Sequence, residues 1–367
     1  MTTDLIDSLL SLAPASPLHA TRHQRDKVVS ATQGSHAALF DPELLGLALA
    51  DRLHLALNTS QTLGLDTLSA HYAQALRQQG PVRDSDRLAA ARAFAHTLTV
   101  DPVAADRHAL LSLPAAGYST AETVALAQLI AYLSFQARVV AGLAAMQALG
   151  AAPARPLSAE AAAPFVHPAN LPPPGEPLNI RGFTSATLGW KAWLPVLDPA
   201  QATAEQLAVL DSSHPKARSS DYYLLLAHQP RILQERSTVF NAIMYAPGGL
   251  SRAERELVSA AVSRVNGCVY CASVHAQRFE QLSKRNDVIA QLFEDPDRAG
   301  TQAREKGLIQ LALALTRDPA GFGAAQLQPL RDAGLSDLEL LDAIHAAAIF
   351  AWANRLMLNL GEAVYPA

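Results

Sequence analysis

Four residues that could carry out thiol redox chemistry lie close together in the second half of this chain. Residues 254–275 read ERELVSAAVSRVNGCVYCASVH and contain both cysteines of the 367-residue sequence, Cys268 and Cys271. His275 follows four residues after Cys271, and Glu256 precedes Cys268 by twelve residues. Dithiol chemistry needs a base for the thiol proton and a second thiol that resolves the oxidised first one. The segment contains all of these groups and predicts a redox site.

Two helices are expected to position these side chains. The first would cover residues 251–265 (SRAERELVSAAVSRV), in which Ser251 and Glu254 have the spacing of a capping box. The Asn-Gly pair that follows is a typical helix stop, so the second helix would begin near Cys268.

The second helix would place Cys268, Cys271 and His275 on one face, because they are spaced by three and four residues. Thiols in the first turn of a helix feel the positive end of its dipole, which favours the thiolate. His275 could take or hold a thiol proton, as in other Cys–His pairs. Glu256 could orient that histidine or relay protons if the two helices pack side by side.

Two other interpretations of the cluster stay open. Two cysteines, one histidine and one glutamate could supply the four ligands of a zinc ion. The cysteines could also be buried as small apolar residues, a common environment for free cysteine. The second interpretation leaves His275 and Glu256 without a role, and structural zinc more often stabilises small or loop-rich domains. We therefore prefer a redox dithiol and assign no metal.

The pattern Glu-x11-Cys-x2-Cys-x3-His resembles the alkylhydroperoxidase AhpD-like group of the carboxymuconolactone decarboxylase superfamily. The surrounding sequence GGLSRAERELVSAAVSRVNGCVYCASVHAQRF is most similar to the peroxidase-related branch of that group. The resemblance implies an all-α fold and the reduction of hydroperoxides. It also implies that Cys271 is the attacking thiol, that Cys268 is the resolving thiol, and that Glu256 and His275 form a proton relay.

Tyr270 marks a departure from this family, because AhpD itself has a second histidine between its two cysteines. With an ordinary pKa of about 10, a tyrosine is too weakly acidic to replace that histidine as a base. It could still donate a hydrogen bond to a thiolate or a peroxide oxygen. Tyr270 is therefore a weak candidate for the substrate pocket.

An internal repeat predicts that the fold consists of two tandem AhpD-like helical bundle repeats. A constant offset of 217 residues aligns Leu110–Leu143 with Leu327–Leu360. The matched positions include Thr99 with Thr316, Gly117 with Gly334, Ser119 with Ser336, Glu122 with Glu339, Phe135 with Trp352, and Arg138 with Arg355. Further upstream the match is weaker, and Ala70-His71 is aligned with Val274-His275.

We expect three domains or segments along the chain. Residues 1–150 would form a degenerate, cysteine-free carboxymuconolactone decarboxylase-like domain. Residues 151–180 are rich in proline and alanine, which predicts an extended linker. Residues 181–367 would form the AhpD-like catalytic domain that contains the CxxC motif.

The composition favours a soluble cytoplasmic enzyme. Half of the residues are apolar, the formal net charge is −4, and no basic patch suggests nucleic-acid binding. The first twenty residues do not resemble a signal peptide. Charged side chains interrupt the apolar segment 338–360, so a membrane span is not expected there. A lone CxxC motif in the cytosol is more often catalytic than structural.

The predicted function is that of a thiol-dependent peroxidase which reduces alkyl and other hydroperoxides in antioxidant defence. An external dithiol, such as a thioredoxin-type or lipoyl-type reductant, would reopen the disulfide. The sequence has no glycine-rich dinucleotide fingerprint after a strand, so no cofactor is expected. A homo-oligomer is predicted, either a trimer of two-repeat chains or a dimer.

Two alternative functions stay open. One is lactone chemistry like that of carboxymuconolactone decarboxylase, which would not need two cysteines. The other is a non-catalytic redox sensor.

Overall fold

The structure, a computed structural model, describes residues 4–44, 46–80, 82–152 and 170–366. Most of these residues are helical, which confirms the predicted all-α class. The helices are α1 (Leu5–Leu9), α2 (Pro17–Arg22), α3 (Asp26–Leu39), α4 (Leu49–Thr62), α5 (Asp66–Gln79), α6 (Asp86–Val100), α7 (Arg107–Ala115), α8 (Thr120–Leu149), α9 (Ala204–Ser213), α10 (Asp221–Leu226), α11 (Pro230–Met244), α12 (Arg252–Val265), α13 (Val269–Ser283), α14 (Asn286–Glu294), α15 (Ala303–Arg317), α16 (Ala324–Asp332) and α17 (Asp337–Asn359). Much of the predicted linker, residues 153–169, lies outside the described part of the chain.

Two short antiparallel strand pairs accompany the helices. Strand β1 (Asn179–Ile180) pairs with β2 (Phe183–Thr184), and β3 (Gly189–Ala192) pairs with β4 (Gly361–Val364). The indole N–H of Trp190 on β3 donates to a carbonyl oxygen at the end of α17. The second strand pair therefore connects the segment before α9 to the last residues of the chain.

The described residues form two compact units, and neither unit is a continuous stretch of chain. Unit 1 contains the described residues of Met1–Val29, Arg138–Leu188 and Asn241–Phe350. Unit 2 contains those of Ser30–Ala137, Gly189–Phe240 and Ala351–Ala367. Each unit therefore combines residues from both predicted copies. The predicted domain boundaries, at residues 150 and 180, describe the repeat in the sequence and stay a prediction.

Each unit contains a buried arginine that bonds to the last turn of a helix. In unit 1, Arg138 donates to the carbonyl oxygen of Thr316 at 2.7 Å, near the end of α15. In unit 2, Arg355 donates to the carbonyl oxygen of Thr99 at 2.8 Å, near the end of α6. A cation suits the last carbonyl groups of a helix. The offset of 217 residues relates both donors and both acceptors, which favours an internal duplication.

Helix α8 is long and apolar enough to cross a membrane by length and composition. However, 94% of its most apolar stretch is buried within the structure. In unit 1, the ideal Cβ of an alanine in place of Gly142 on α8 would lie 2.3 Å from a methyl group of Ile344 on α17. This close approach requires glycine and is typical of a core helix.

One buried histidine, His345, and one partly buried histidine, His36, predict that the protein loses stability in acid. Burial lowers the pKa of His36 from 6.5 to about 4, with a further contribution from the charge of His71. Burial also lowers the pKa of His345 to about 3. Because the unfolded chain takes up these protons first, the stabilisation is complete above pH 6.5. It is lost as the pH falls towards the folded pKa values, by up to about 1.4 kcal/mol per pH unit for each histidine.

Urea denaturation at several pH values between 7.5 and 5 would measure this loss of stability. The matched variant is His36→Phe, because the ring of Phe40 lies 4.7 Å from the imidazole of His36. The variant should show a shallower pH dependence than the parent protein. Parallel pH curves for the two proteins would contradict the assignment.

Candidate redox site

The start of α12 confirms the predicted capping box. The Ser251 hydroxyl accepts a hydrogen bond from the Glu254 N–H at 3.3 Å, and the Glu254 carboxylate accepts from the Ser251 N–H at 3.0 Å. Reciprocal capping of this kind fixes the first residue of a helix. The cap therefore also fixes the position of Glu256, which lies in the second turn of α12.

Both cysteines lie at the start of α13, as predicted. Gly267 has a φ of +73°, which lets the chain turn between α12 and α13. The Cys268 N–H donates to the carbonyl oxygen of Ser263 at 2.9 Å, and Cys268 is the N-cap of α13. Cys271 lies in the first turn, where backbone N–H groups lack intrahelical partners and favour negative charge.

Helices α12 and α13 join Glu256 and His275 in a hydrogen bond. The distance between Glu256 Oε2 and His275 Nδ1 is 2.5 Å. Both side chains are buried, with 0% exposure for Glu256 and 4% for His275. Cys271 lies one turn before His275, and residues with this spacing are neighbours on a helix surface. Glu256 and His275 are therefore paired across α12 and α13, as expected for two helices that pack side by side.

The charges around this pair favour a carboxylate and a neutral imidazole. Burial alone would raise the pKa of Glu256, but His275, followed by Arg278 and Arg252, outweighs it and lowers that pKa. Burial lowers the pKa of His275, and the attraction to Glu256 opposes this only in part. Because a carboxylate can only accept, His275 donates through Nδ1. Its Nε2 then carries a lone pair that can take a proton.

Two residues that contact the pair were missed in the sequence. Arg252 lies 3.3 Å from Glu256 Oε1, and its guanidinium group stacks over the ring of Tyr245 at 4.9 Å. The four-residue spacing on α12 could have revealed Arg252. Phe350 on α17 places its ring edge-on against His275, with centroids 4.4 Å apart. No local signal indicates Phe350, because it lies far away along the chain.

A buried ionic cluster holds the loop that leads into α12. Asp342 accepts from Arg25 at 2.8 Å and from Arg255 at 2.8 Å. It also accepts from the Leu250 N–H at 3.0 Å, while the two arginines donate to carbonyl oxygens of residues 246–248. The cluster thus fixes the entry into α12, the helix that carries Glu256.

The two thiols are enclosed. Cys268 is 1% exposed and Cys271 is 4% exposed, and neither forms a disulfide in the structure. Residues of the described segment 170–188 contact α13: the Ser273 hydroxyl donates to the Ala186 carbonyl oxygen, and the Gly175 N–H donates to Glu280 at 3.1 Å. The described segment 175–186 therefore covers part of α13.

Tyr270 is half-buried in the first turn of α13. A cleft of about 370 Å³ in unit 1 lies near the end of α8, and another of about 320 Å³ in unit 2 lies between α4 and α6. Neither cleft is lined by Tyr270, by Glu256 or by the thiols. The role of Tyr270 in a substrate pocket stays a prediction.

Helices α4 and α5 in unit 2 resemble the pair formed by α12 and α13. Each helix of the first pair begins 203 residues before its counterpart in the second pair. This shift aligns Tyr72 with His275, so the alignment of His71 with His275 is wrong by one residue. The residues that replace Glu256, Cys268 and Cys271 are Leu53, Leu65 and Leu68. Tyr72 is buried and donates to Gln136 at 2.5 Å. The helix pair is present there without the glutamate, the two cysteines and the histidine.

Comparison with known proteins finds a family match over the segment that contains the candidate site residues. Residues 230–297 match the model of the carboxymuconolactone decarboxylase family. The matched range contains α11 to α14 and hence all the predicted site residues. A search of curated proteins found no match.

Two crystal structures are similar to part of the chain. One is an alkylhydroperoxidase AhpD core, an uncharacterized peroxidase-related protein from Ralstonia eutropha JMP134, with 25% identity and a TM-score of 0.40 over 45% of this chain and 87% of that one. The other is an uncharacterized peroxidase-related protein from Silicibacter sp. TM1040, with 23% identity and a TM-score of 0.38 over 45% of this chain and 86% of that one. The family match confirms the resemblance inferred from the sequence: residues 230–297 are similar to the carboxymuconolactone decarboxylase family.

Proposed function

We propose that the chain is a thiol peroxidase that reduces hydroperoxides, including alkyl hydroperoxides, through Cys271 and Cys268. The observation that carries the proposal is the buried hydrogen bond between Glu256 and His275, one helical turn from Cys271. A neutral imidazole held by a carboxylate is a suitable base for a thiol proton. The family match at residues 230–297 supports the same proposal.

The first half-reaction begins when His275 Nε2 takes the proton of the Cys271 thiol. The thiolate attacks the distal oxygen of the hydroperoxide, so a sulfur–oxygen bond forms as the oxygen–oxygen bond breaks. The imidazolium returns its proton to the leaving alkoxide, which departs as the alcohol. Cys271 is then a sulfenic acid, oxidised by two electrons.

The second half-reaction closes and reopens a disulfide. The Cys268 thiol attacks the Cys271 sulfur, and the sulfenic oxygen leaves as water. An external dithiol of the thioredoxin or lipoyl type then reduces the disulfide by thiol exchange. A reducing compartment such as the cytoplasm would return both cysteines to thiols. Assembly into a homodimer or trimer remains part of this proposal.

Counting thiols tests the proposal directly. Reduced protein is mixed with one equivalent of cumene hydroperoxide, and free thiols and peroxide are measured before and after. We expect both thiols to disappear as the peroxide is consumed, and a dithiol to restore them. Thiols that stay unreacted while the protein is folded would refute the proposal.

Lactone chemistry is the second candidate, because the matched family model is that of carboxymuconolactone decarboxylase. This chemistry does not need two cysteines. A double variant, Cys268→Ser with Cys271→Ser, would keep lactone decarboxylase or isomerase activity but lose peroxide reduction. The same variant therefore distinguishes the two candidates.

Replacing Glu256 by glutamine should slow the oxidation of Cys271 by about 100-fold, within the usual range for losing a positioned proton acceptor or donor. The amide keeps the shape of the side chain but removes the charge that holds the His275 tautomer. Stopped-flow measurement of thiol loss gives the rate. The control is Glu294→Gln, since Glu294 is exposed and pairs with Arg181 on the surface of unit 1. Equal rates for the two variants would contradict the relay.

A further inference from the structure

A group of side chains suited to binding a metal ion lies outside the redox site, in the first part of unit 1. Asp7 on α1 has its Oδ2 atom 2.8 Å from His23 Nε2 and 3.7 Å from His19 Nε2. One ligand atom from each of the three residues lies within 4.8 Å of the other two. Two imidazole nitrogens and one carboxylate oxygen therefore converge on one point.

The local helix explains why the two histidines lie together. His19 belongs to α2, and His23 is its C-cap, with an N–H that donates to the His19 carbonyl oxygen. Residues four apart lie on one face of a helix. The two rings stack with centroids 4.0 Å apart. A pair of histidines with this spacing is a common element of zinc sites.

The other oxygen of Asp7 is held by buried groups. Arg22 Nη1 donates to Asp7 Oδ1 at 2.6 Å, and Arg22 Nη2 lies 3.0 Å from Asp4 Oδ1. The Asp7 N–H donates to Asp4 at 3.0 Å. Arg22 is only 2% exposed, so this arrangement is fixed. Outer groups that orient a ligating carboxylate in this way are typical of metal sites.

The geometry points to a site for a divalent transition metal, with His19 Nε2, His23 Nε2 and Asp7 Oδ2 as its ligands. Two imidazoles with one carboxylate suit zinc, cobalt or nickel, whereas magnesium and calcium take oxygen ligands. The side chains of His19 and His23 are 20% and 35% exposed, which leaves a fourth position open to water. The bound ion would join α1 to α2.

The charge of the group also suits a dication. Asp4 and Asp7 each contribute one negative charge, and Arg22 contributes one positive charge, so the group has a net charge of −1 when the histidines are neutral. The proposed ligands include none of the predicted redox residues, so an ion bound here would not occupy the thiols.

Titration of metal-free protein with Co²⁺ and Zn²⁺ tests the site, with calorimetry for the stoichiometry and visible absorption for the cobalt ligands. We expect one ion per chain and no thiolate-to-cobalt charge-transfer band. Binding should be unchanged in the Cys268→Ser, Cys271→Ser double variant. It should weaken by more than about 100-fold in the His19→Gln, His23→Gln double variant.

The control variant is His108→Gln, which changes an exposed histidine at the start of α7. It should bind the ion like the parent protein. Circular dichroism would establish that each variant is folded. Three results would overturn the site: loss of the metal with the cysteines, retention of the metal without His19 and His23, or no binding by the parent protein at micromolar concentrations.

Discussion

Changing Cys271 to serine should lower the rate of hydroperoxide consumption by more than about 1,000-fold, because a hydroxyl cannot replace the thiolate as nucleophile at neutral pH. The variant should fold normally, since the exchange is nearly isosteric and Cys271 makes no disulfide. The measurement is the initial rate of cumene hydroperoxide loss with excess dithiol.

The matched variant is Cys268→Ser, which keeps the attacking thiol and removes the resolving one. This variant should consume one equivalent of peroxide and then stop, leaving a sulfenic acid that a dimedone probe can label. The difference between the two variants identifies Cys271 as the attacking thiol and Cys268 as the resolving thiol. If Cys268→Ser stopped the first turnover and Cys271→Ser did not, the roles would be reversed.

A second large effect is expected on stability when Asp342 is replaced by leucine. The change should lower the free energy of unfolding by about 3–5 kcal/mol, because it leaves two buried arginines without their shared carboxylate. Arg25 and Arg255 are 8% and 2% exposed, so water cannot compensate. Urea denaturation followed by circular dichroism at pH 7.5 measures the loss.

The control for Asp342 is Asp297→Asn, which breaks an exposed pair with Arg317 in the same unit. An exposed ion pair contributes about 1 kcal/mol or less, so this variant should remain close to the parent protein. Replacing Arg25 and Arg255 by methionine together with Asp342→Leu should restore part of the stability. Equal losses from the two aspartate variants would show that the cluster at Asp342 is not the stabilising feature.

The sequence predicted the parts of the site that depend on neighbouring residues. Ser251 and Glu254 lie three residues apart and form the predicted cap. Ser336 and Glu339, also three residues apart, form the same kind of cap at the start of α17. Helix spacing also placed the cysteines correctly at the start of α13. Such features follow from backbone geometry alone, which is why sequence patterns reveal them.

The remaining parts depend on contacts between distant residues. Arg25 and Asp342 are separated by 317 positions, and nothing near either residue indicates its partner. The edge-on contact between Phe350 and His275 is of the same kind. The segment that covers α13 could not be predicted either, because its carbonyl groups carry no side-chain signal. Tertiary packing, and not local preference, creates these contacts.

The combination of distant segments in each unit has a consequence for synthesis on the ribosome. Unit 2 begins at Ser30, yet its strand β4, Gly361–Val364, is synthesised about 330 residues later. At about 5–20 residues per second, the first helices of this unit wait on the order of ten seconds or more for their partners. During part of that time the positions of α8 that contact Ile344 and Trp352 on α17 lack these partners, and a nascent chain with exposed apolar surface is prone to aggregation. A chaperone that binds the emerging chain would therefore prevent aggregation most effectively in the interval between the synthesis of α8 and that of β4.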